Sequence, residues 1–318
     1  MKRFFLFALT AMIYVSCTKS DSGPSTVPPT SEVDTLNGWI KSIKIASELE
    51  DVWFTDNKNG ILSSSSSLMI SSDSGNTWTA IPGTSNYQMI NIQFLDSLRG
   101  FCQSVSQLGR TYDGGKSWTL KPLASNYGFT FQFLTPAVGF YNDYSKGIYK
   151  TVDSGNTWKL VLDGTGTGPN FIFDFLDTLT GYTMVNANCS KTIDGAQTFQ
   201  PLATNITGSA FINYYRMDFT DTLTGYCGTP AGLFKTTDGG KTWVNKLARE
   251  TTFMVPSFLD ATHGYVIAAN TLYVTTDGGN SWNVSCKLGQ DDFSGMHFLN
   301  MNTGWVSTFG GYVLRLRP

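Results

Sequence analysis

The sequence predicts an all-β fold, a propeller of seven four-stranded antiparallel blades, and three observations support this prediction. A phrase of the form Asp-x-Gly-x-Thr-Trp recurs six times in close variants, at steps of 40, 40, 41, 44 and 39 residues. A second phrase, Phe-x-Asp-x-x-x-Gly in its ideal form, recurs seven times with the same period. Between the phrases lie short runs rich in Val, Ile, Tyr, Phe and Thr and bounded by Gly, Asp and Asn, which is typical of short strands and tight turns. A period of about 40 residues with four such strands is the length of one propeller blade.

The N-terminus has the layout of a secretory signal peptide, and residues 1 to 16 are expected to be removed. Two basic residues precede an apolar run that is too short to span a bilayer. Small residues and then Cys17 follow the run. The sequence YVSC resembles a bacterial lipobox, with Tyr14 where Leu is usual, which implies that Cys17 carries the lipid. Acyl chains contribute about 0.8 kcal/mol per buried CH₂ to membrane binding. The alternative is a soluble secreted protein in which Cys17 is incidental.

Residues 17 to 34 form the lipidated cysteine and a flexible tether in this interpretation. The segment is rich in Ser, Thr and Pro and poor in large apolar residues, so it cannot bury a core. The residue after Cys17 is Thr18 rather than Asp. The resemblance to Gram-negative lipoproteins therefore favours the outer membrane of the cell envelope. Whether the protein faces the periplasm or the cell surface is left open.

The folded domain is expected to span residues 35 to 318, and its first strand is expected to close the ring. These 284 residues suffice for seven blades of about 40. The C-terminal sequence GWVSTFGGYVLRLRP supplies only three strands of a last blade, whereas GWIKSI at 38 to 43 is similar to the stretch that follows each Asp phrase. We therefore predict that Trp39 to Ile43 forms the outer strand of the C-terminal blade. This pairing removes exposed blade edges.

The repeated Asp is expected to be structural. An Asp in a tight turn accepts hydrogen bonds from nearby backbone N–H groups, and the Gly adopts a positive φ. The aromatic residue five positions later is then directed into the gap between blades. Six catalytic aspartates spread around a ring make no chemical sense. The structural aspartates are Asp73, Asp113, Asp153, Asp194, Asp238 and Asp277.

These phrases resemble the Asp-box, or BNR, repeat. The combination of F-x-D-x-x-x-G with K-T-T-D-G-G-K-T-W resembles the seven-bladed photosystem II assembly factor family and its relatives in non-photosynthetic bacteria, over nearly all of residues 40 to 318. The resemblance implies a chaperone-like binder rather than an enzyme. Asp-boxes also occur in sialidases, xyloglucanases and sortilin-like receptors, so the repeats identify the fold better than the function. The basic binding patch of the plant and cyanobacterial members is not evident, and the photosystem partner is not carried over.

The first strand of each blade lines the central channel, and alternate residues of these strands form a polar stripe. Asp174 and Asp218 lie on neighbouring blades and could serve as acid and base in glycoside hydrolysis. The alternative is that Arg216 neutralises both carboxylates in a solvated channel. The candidate channel residues are Gln93, Gln132, Asp174, Arg216, Asp218 and His297.

Aromatic residues near the starts of the first strands predict a second candidate site, a rim that would stack on sugars or bury peptide side chains. The alternative is that they cap the core between blades. The candidate rim residues are Tyr87, Tyr127, Phe171, Tyr214, Phe253 and Phe293.

The remaining chemistry of the chain favours binding over catalysis. A net charge of −2 with 14% charged residues predicts no nucleic-acid partner. The cysteines lack metal-binding spacing, so no metal or other cofactor is expected, and Cys189 with Cys227 is the conceivable disulfide. There is no arginine cluster, nucleophile with a base, or second domain. We expect a monomeric, membrane-anchored, non-enzymatic scaffold that binds another envelope protein; the alternative is a carbohydrate-binding or glycoside-hydrolysing protein.

Overall fold

The computed structural model of the chain describes residues 37–85, 87–124, 128–144, 146–164, 171–185, 188–206, 216–251 and 253–316. These residues form seven four-stranded antiparallel sheets and no helix, so the predicted all-β propeller of seven blades is confirmed. Accordingly, no described segment is a helix long and apolar enough to cross a membrane.

The strands follow one another blade by blade, from the channel outward. Blade 1 contains β2 (Leu49–Phe54), β3 (Gly60–Ser64), β4 (Leu68–Ser71) and β5 (Thr79–Ala80); blade 2 contains β6 (Asn91–Phe94), β7 (Gly100–Gln103), β8 (Gln107–Thr111) and β9 (Thr119–Pro122). Blade 3 contains β10 (Gly128–Phe133), β11 (Gly139–Asp143), β12 (Gly147–Thr151) and β13 (Lys159–Asp163); blade 4 contains β14 (Phe171–Phe175), β15 (Gly181–Val185), β16 (Asn188–Thr192) and β17 (Gln200–Pro201). Blade 5 contains β18 (Met217–Phe219), β19 (Gly225–Thr229), β20 (Gly232–Thr236) and β21 (Val244–Ala248); blade 6 contains β22 (Met254–Phe258), β23 (Gly264–Ala268), β24 (Thr271–Thr275) and β25 (Asn283–Lys287). Blade 7 contains β26 (Phe293–Asn300), β27 (Thr303–Thr308), β28 (Val313–Leu316) and β1 (Trp39–Lys41).

The N-terminal strand closes the ring, as predicted. β1 pairs antiparallel with β28, with Trp39 opposite Leu316 and Lys41 opposite Leu314. The strand ends at Lys41, two residues before the predicted end. Trp39 is buried and meets the ring of Phe298 edge to face, at 6.0 Å between centroids. It therefore fills the place that the Trp of the Asp phrase fills in other blades.

The Asp phrase is a turn clamped by its own side chains. The Asp238 carboxylate accepts hydrogen bonds from the Thr236 hydroxyl at 2.9 Å, the Thr242 backbone N–H at 2.9 Å and the Thr242 hydroxyl at 2.6 Å. The bonds from Thr242 lower the pKa of Asp238 to about 2. Trp243 donates its indole N–H to the Gly240 carbonyl at 2.9 Å and points into the core. The other five aspartates make the same bonds to the hydroxyl residues two positions before and four positions after them.

The Phe and Gly of the second phrase form the contact between blades. Gly225 lies directly opposite Phe219 in the sheet, and a Cβ at Gly225 would approach the Phe219 ring to 2.5 Å. Because the glycine leaves this space, the Phe219 ring lies flat and stacks on Tyr182 of the preceding blade at 3.7 Å. Its edge meets Trp243 of its own blade at 6.0 Å. Equivalent stacks are Phe54 on Trp305, Phe133 on Phe101, Phe175 on Phe140, Phe258 on Tyr226 and Phe298 on Tyr265.

The two repeated turns of a blade lie side by side on one face of the propeller. The Gly239 N–H of the Asp phrase donates to the Leu223 carbonyl in the turn between the first and second strands, and the same bond recurs in blades 1 to 4 and 6. We call the surface formed by these two sets of turns the Asp-box face. The turns between second and third strands and the connections between blades lie on the opposite face.

Candidate binding site in the central channel

A cavity of about 240 Å³ lies in the central channel, where the first strands of blades 1 to 5 converge. Side chains alternate along a strand, so every second residue of these strands faces the channel. Gln93, Gln132, Asp174 and Arg216 of the candidate set line the cavity together, whereas Asp218 and His297 lie outside its lining. The other lining residues are Asp51, Trp53, Asn91, Ile92, Thr130, Phe131, Phe173 and Met217.

The two glutamines join neighbouring blades. Gln93 accepts a hydrogen bond from the Phe133 backbone N–H at 2.7 Å and donates its side-chain amide to the Phe133 carbonyl at 2.9 Å. Gln132 makes the same pair of bonds with Phe175, at 2.8 and 3.0 Å. A glutamine amide thus extends the hydrogen bonding of one first strand to the next, because it presents a donor and an acceptor as a backbone peptide does.

Asp174 and Asp218 occupy the same position in the next two blades and perform the same joining function. Asp174 accepts hydrogen bonds from the Phe219 backbone N–H at 2.6 Å and from the Gln132 side-chain amide at 2.9 Å. Asp218 accepts one from the Phe258 backbone N–H at 2.5 Å. Burial raises the pKa of both carboxyls, and the charge of Asp174 raises that of Asp218 further. Both groups therefore hold a proton to higher pH than an exposed aspartate.

Arg216 interacts with side chains of blades 1 and 2. Its guanidinium donates to the Asn91 side-chain oxygen at 3.4 Å, and its charge partly offsets the rise that burial causes in the pKa of Asp51. The Asp174 and Asp218 carboxylates, for which the sequence suggested Arg216 as a counter-charge, accept hydrogen bonds from backbone N–H groups of the following blades. The contact between Arg216 and Asn91 joins blades 5 and 2, so it becomes visible only when the ring of blades is assembled.

Asp51 is a channel residue that was missing from the candidate set. Its carboxylate accepts hydrogen bonds from the Val52 N–H at 2.8 Å and from the Ile92 N–H of the next blade at 2.9 Å. Burial raises the pKa of Asp51 to about 7, against the lowering effects of these bonds and of Arg216. Strand register already places Asp51 on the polar stripe of the channel, because it lies three positions before Phe54, as Arg216 lies three before Phe219.

His297 joins the last blade to the first. Its ring packs against Trp53 with 4.1 Å between centroids, and it bonds the backbone of Phe54. Burial lowers the pKa of His297 to about 4, so the imidazole is neutral at neutral pH.

The candidate aromatic rim is corrected by burial. Phe171 is 2% exposed and Phe293 is fully buried, so neither presents a ring for stacking. A Cβ at Gly164 would lie 1.7 Å from the Phe171 ring, which shows that the glycine makes room for this side chain in the core. Tyr87 and Phe253 are half-buried and pack against core clusters. Tyr127 and Tyr214, like Cys17, lie outside the described residues.

The cysteines of the described blades are buried free thiols: Cys102, Cys189, Cys227 and Cys286. The conceivable disulfide between Cys189 and Cys227 is therefore not formed. The Cys227 sulfur lies 3.8 Å from the Met184 sulfur, within the apolar core of blades 4 and 5.

The raised pKa of Asp51 predicts a pH dependence of stability. Its folded pKa, about 7, lies above the unfolded value of 3.8, so its stabilising contribution is complete below pH 3.8 and is lost as the pH rises through 7. We expect Asp51→Asn to reduce the fall in the free energy of unfolding between about pH 4 and pH 8. Urea unfolding at a series of pH values measures this slope. If the free energy of unfolding falls equally with pH in Asp51→Asn and in the original protein, the pKa of Asp51 is not raised by folding.

The fold is similar to that of solved propellers, whereas no protein-family profile and no curated protein matches the chain. The structure described as YCF48 bound to D1 peptide is 20% identical, with a TM-score of 0.68, over 89% of this chain and 97% of that one. YCF48 from Cyanidioschyzon merolae is 18% identical, with a TM-score of 0.69, over 88% and 99%. The GH74 enzyme of Niastella koreensis is 14% identical, with a TM-score of 0.65, over 85% of this chain and 52% of the enzyme. The GH74 xyloglucanase of Xanthomonas campestris is 12% identical, with a TM-score of 0.65, over 86% and 52%.

These identities establish a shared fold alone. The chain spans about half the length of the two GH74 enzymes and nearly the whole length of the two YCF48 chains.

Proposed function

We propose that this protein is a non-enzymatic, lipid-anchored propeller of the cell envelope that holds an extended segment of a partner protein at its channel and so acts as an interaction or assembly scaffold. One observation carries the proposal. The side chains that could have formed an acid and base pair, Asp174 and Asp218, are bound by backbone N–H groups of the next blade. In the described channel these carboxyls thus join neighbouring blades, which favours binding over catalysis.

The chemistry of the cavity suits a peptide. A volume of about 240 Å³ admits a few residues of extended chain and excludes a folded domain. Asn91 and Thr130 contribute polar groups to the cavity lining, and Arg216 contributes a cation, which suits peptide groups and a carboxylate. The similar YCF48 fold was solved with a peptide bound, which supports a protein partner in general.

The location is part of the same proposal. Removal of residues 1 to 16, a lipid on Cys17 and a tether to residue 34 would place the propeller, from residue 35 onward, at the outer membrane. The basis is the sequence YVSC and the composition of the segment that follows it. Acylation of Cys17 is tested by mass spectrometry of the membrane fraction.

The partner is tested by mild crosslinking in the native envelope, followed by purification and identification of what is bound. We expect a stoichiometric protein partner, and at least about a tenfold loss of it with Arg216→Gln, because a charge-assisted hydrogen bond contributes about 1.5 to 3 kcal/mol. Lys287→Gln, at an exposed position of the outermost strand of blade 6, is the matched control. Equal capture by both variants would exclude the channel as the binding site.

The alternative function is glycan binding or hydrolysis. It is favoured by the fold shared with the GH74 enzymes and by the two neighbouring carboxyls of raised pKa. Hydrolysis of xyloglucan or another envelope glycan by the purified protein, abolished by Asp174→Asn or Asp218→Asn, would establish it. Absence of turnover together with a captured protein supports the scaffold.

A further inference from the structure

Among the described residues, six large apolar side chains are exposed on the turns of the Asp-box face, and these six lie on four consecutive blades, 2 to 5. We call this set the apolar arc. It consists of Leu98 (56% exposed), Tyr112 (61%), Val152 (66%), Leu179 (57%), Ile193 (63%) and Leu223 (58%). Exposed apolar side chains concentrated on one surface mark an interaction site more often than singly scattered ones do.

The fold does not require these residues. They occupy two repeated positions, two residues after the Asp of the first turn and one residue before the Asp of the second. The backbone at the first position makes the same bond whether the residue is apolar or polar. The carbonyls of Leu223 in blade 5 and Thr262 in blade 6 both accept a hydrogen bond from a backbone N–H of the Asp phrase. Blades 1, 6 and 7 carry exposed polar residues at these positions: Lys58, Ser72, Thr262, Thr276 and Asn302.

The chain enters the propeller on the same face. Trp39 pairs with Leu316, the last residue of β28, and β28 runs toward the Asp-box face. The 36 residues that precede Asn37, which include Cys17, therefore join blade 7 at this face. In a ring of seven, blade 7 lies opposite blades 3 and 4, the middle of the apolar arc.

The charges around the arc nearly balance. The two sets of turns in blades 2 to 5 carry seven aspartates: Asp96, Asp113, Asp153, Asp177, Asp194, Asp221 and Asp238. Six cations lie in or reach these turns: Arg99, Lys116 and Lys241 within them, and Arg110, Lys121 and Lys150, which bond Ser154, Asn156 and Gly195. A surface of this kind neither requires an oppositely charged partner nor is strongly repelled by zwitterionic lipid.

We propose that the Asp-box face is a membrane-docking surface, in which the apolar arc inserts among the lipid headgroups of the membrane that also holds the N-terminal anchor. This inference rests on the proposed lipid anchor at Cys17. The tether attaches at blade 7 and the apolar arc at blades 2 to 5, on opposite sides of the ring. Together they hold the Asp-box face parallel to the membrane. The channel opening on the opposite face then remains accessible to a partner protein.

Labelling tests the orientation. The cysteines of the described blades are buried, so a cysteine placed at an exposed position takes an environment-sensitive fluorophore selectively. In the mature lipidated chain on phosphatidylethanolamine and phosphatidylcholine vesicles, we expect a label at Leu179→Cys to shift to blue emission and to be quenched by spin-labelled lipid. A label at Val105→Cys, in the turn after β7 on the opposite face, should report water. Water-like emission at both positions would overturn the proposal.

Vesicle binding without the anchor separates this inference from the proposed lipidation. In a Cys17→Ser chain, we expect Leu98→Ser, Leu179→Ser and Leu223→Ser together to reduce cosedimentation with vesicles at least fivefold. The matched control replaces three exposed apolar residues outside the arc: Ile43, Val105 and Val284. All six positions are exposed, so the thermal midpoints should stay unchanged. Loss of a copurifying protein, with vesicle binding unaffected, would instead identify the arc as a protein interface and overturn the lipid assignment.

Discussion

Replacement of Phe219 by Ala is expected to destabilise the propeller by about 3 to 5 kcal/mol, because it removes a buried aromatic ring at the contact between blades 4 and 5. The ring stacks on Tyr182 at 3.7 Å and meets Trp243 edge to face at 6.0 Å, so both contacts are lost and a cavity remains. Urea unfolding followed by intrinsic fluorescence measures the free energy. A loss below about 1 kcal/mol would show that the neighbouring blade collapses into the space.

The glycine opposite Phe219 offers a matched test of the same contact. Gly225→Ala places a Cβ 2.5 Å from the Phe219 ring, and we expect it to cost about 1 to 3 kcal/mol. Gly289→Ala is the control, because no atom lies within 4 Å of the added Cβ there. In the Phe219→Ala background the Gly225→Ala substitution should cost much less, since the ring that it meets is gone. Additive losses would contradict the proposed contact.

Trp39→Ala is expected to destabilise the propeller by about 3 to 5 kcal/mol and to weaken the closure of the ring. Trp39 is 3% exposed, packs on Phe298 and donates its indole N–H to the Ser285 hydroxyl at 3.1 Å. Its loss loosens β1 from β28, which leaves an outer strand edge unpaired. Hydrogen exchange should therefore rise first at Arg315, which lies opposite Ile40, because the backbone groups of Val313 and Arg315 face β1.

Trp39→Phe retains an aromatic ring without the indole N–H and serves as the control. We expect it to keep the protection of β28 and to lose a smaller part of the free energy of unfolding. Equal protection of β28 in the alanine variant would show that the backbone pairing of β1 alone closes the ring.

Much of the fold follows from local spacing. The Asp phrase and the Phe-to-Gly phrase each form a turn from residues within seven positions of one another, as the bonds of Asp238 to Thr236 and Thr242 illustrate. The missing outer strand of the last blade was predictable for the same reason, since GWIKSI is similar to the stretch after each Asp phrase. The alternation of strand side chains likewise placed Gln132 and Asp174 on the channel.

The site was less predictable, because its contacts depend on neighbouring blades. The rim prediction failed at Phe171 because Gly164, on the preceding blade, opens a place for the ring in the core. The pairing of Arg216 with Asn91 joins residues 125 positions apart and crosses the channel. Spacing within a repeat carries no information on either contact.

The sequence by itself determined the number of blades, the closure of the ring and the structural function of the six aspartates, because hydrogen bonds within a turn and the alternation of a strand are local properties. Only the tertiary structure decided which polar groups remain for a ligand. Gln93, Gln132 and Asp174 are channel residues by register, yet their polar atoms bind the backbone of the next blade about 40 residues away. That choice depends on the distance between adjacent first strands, which the packing of whole blades sets.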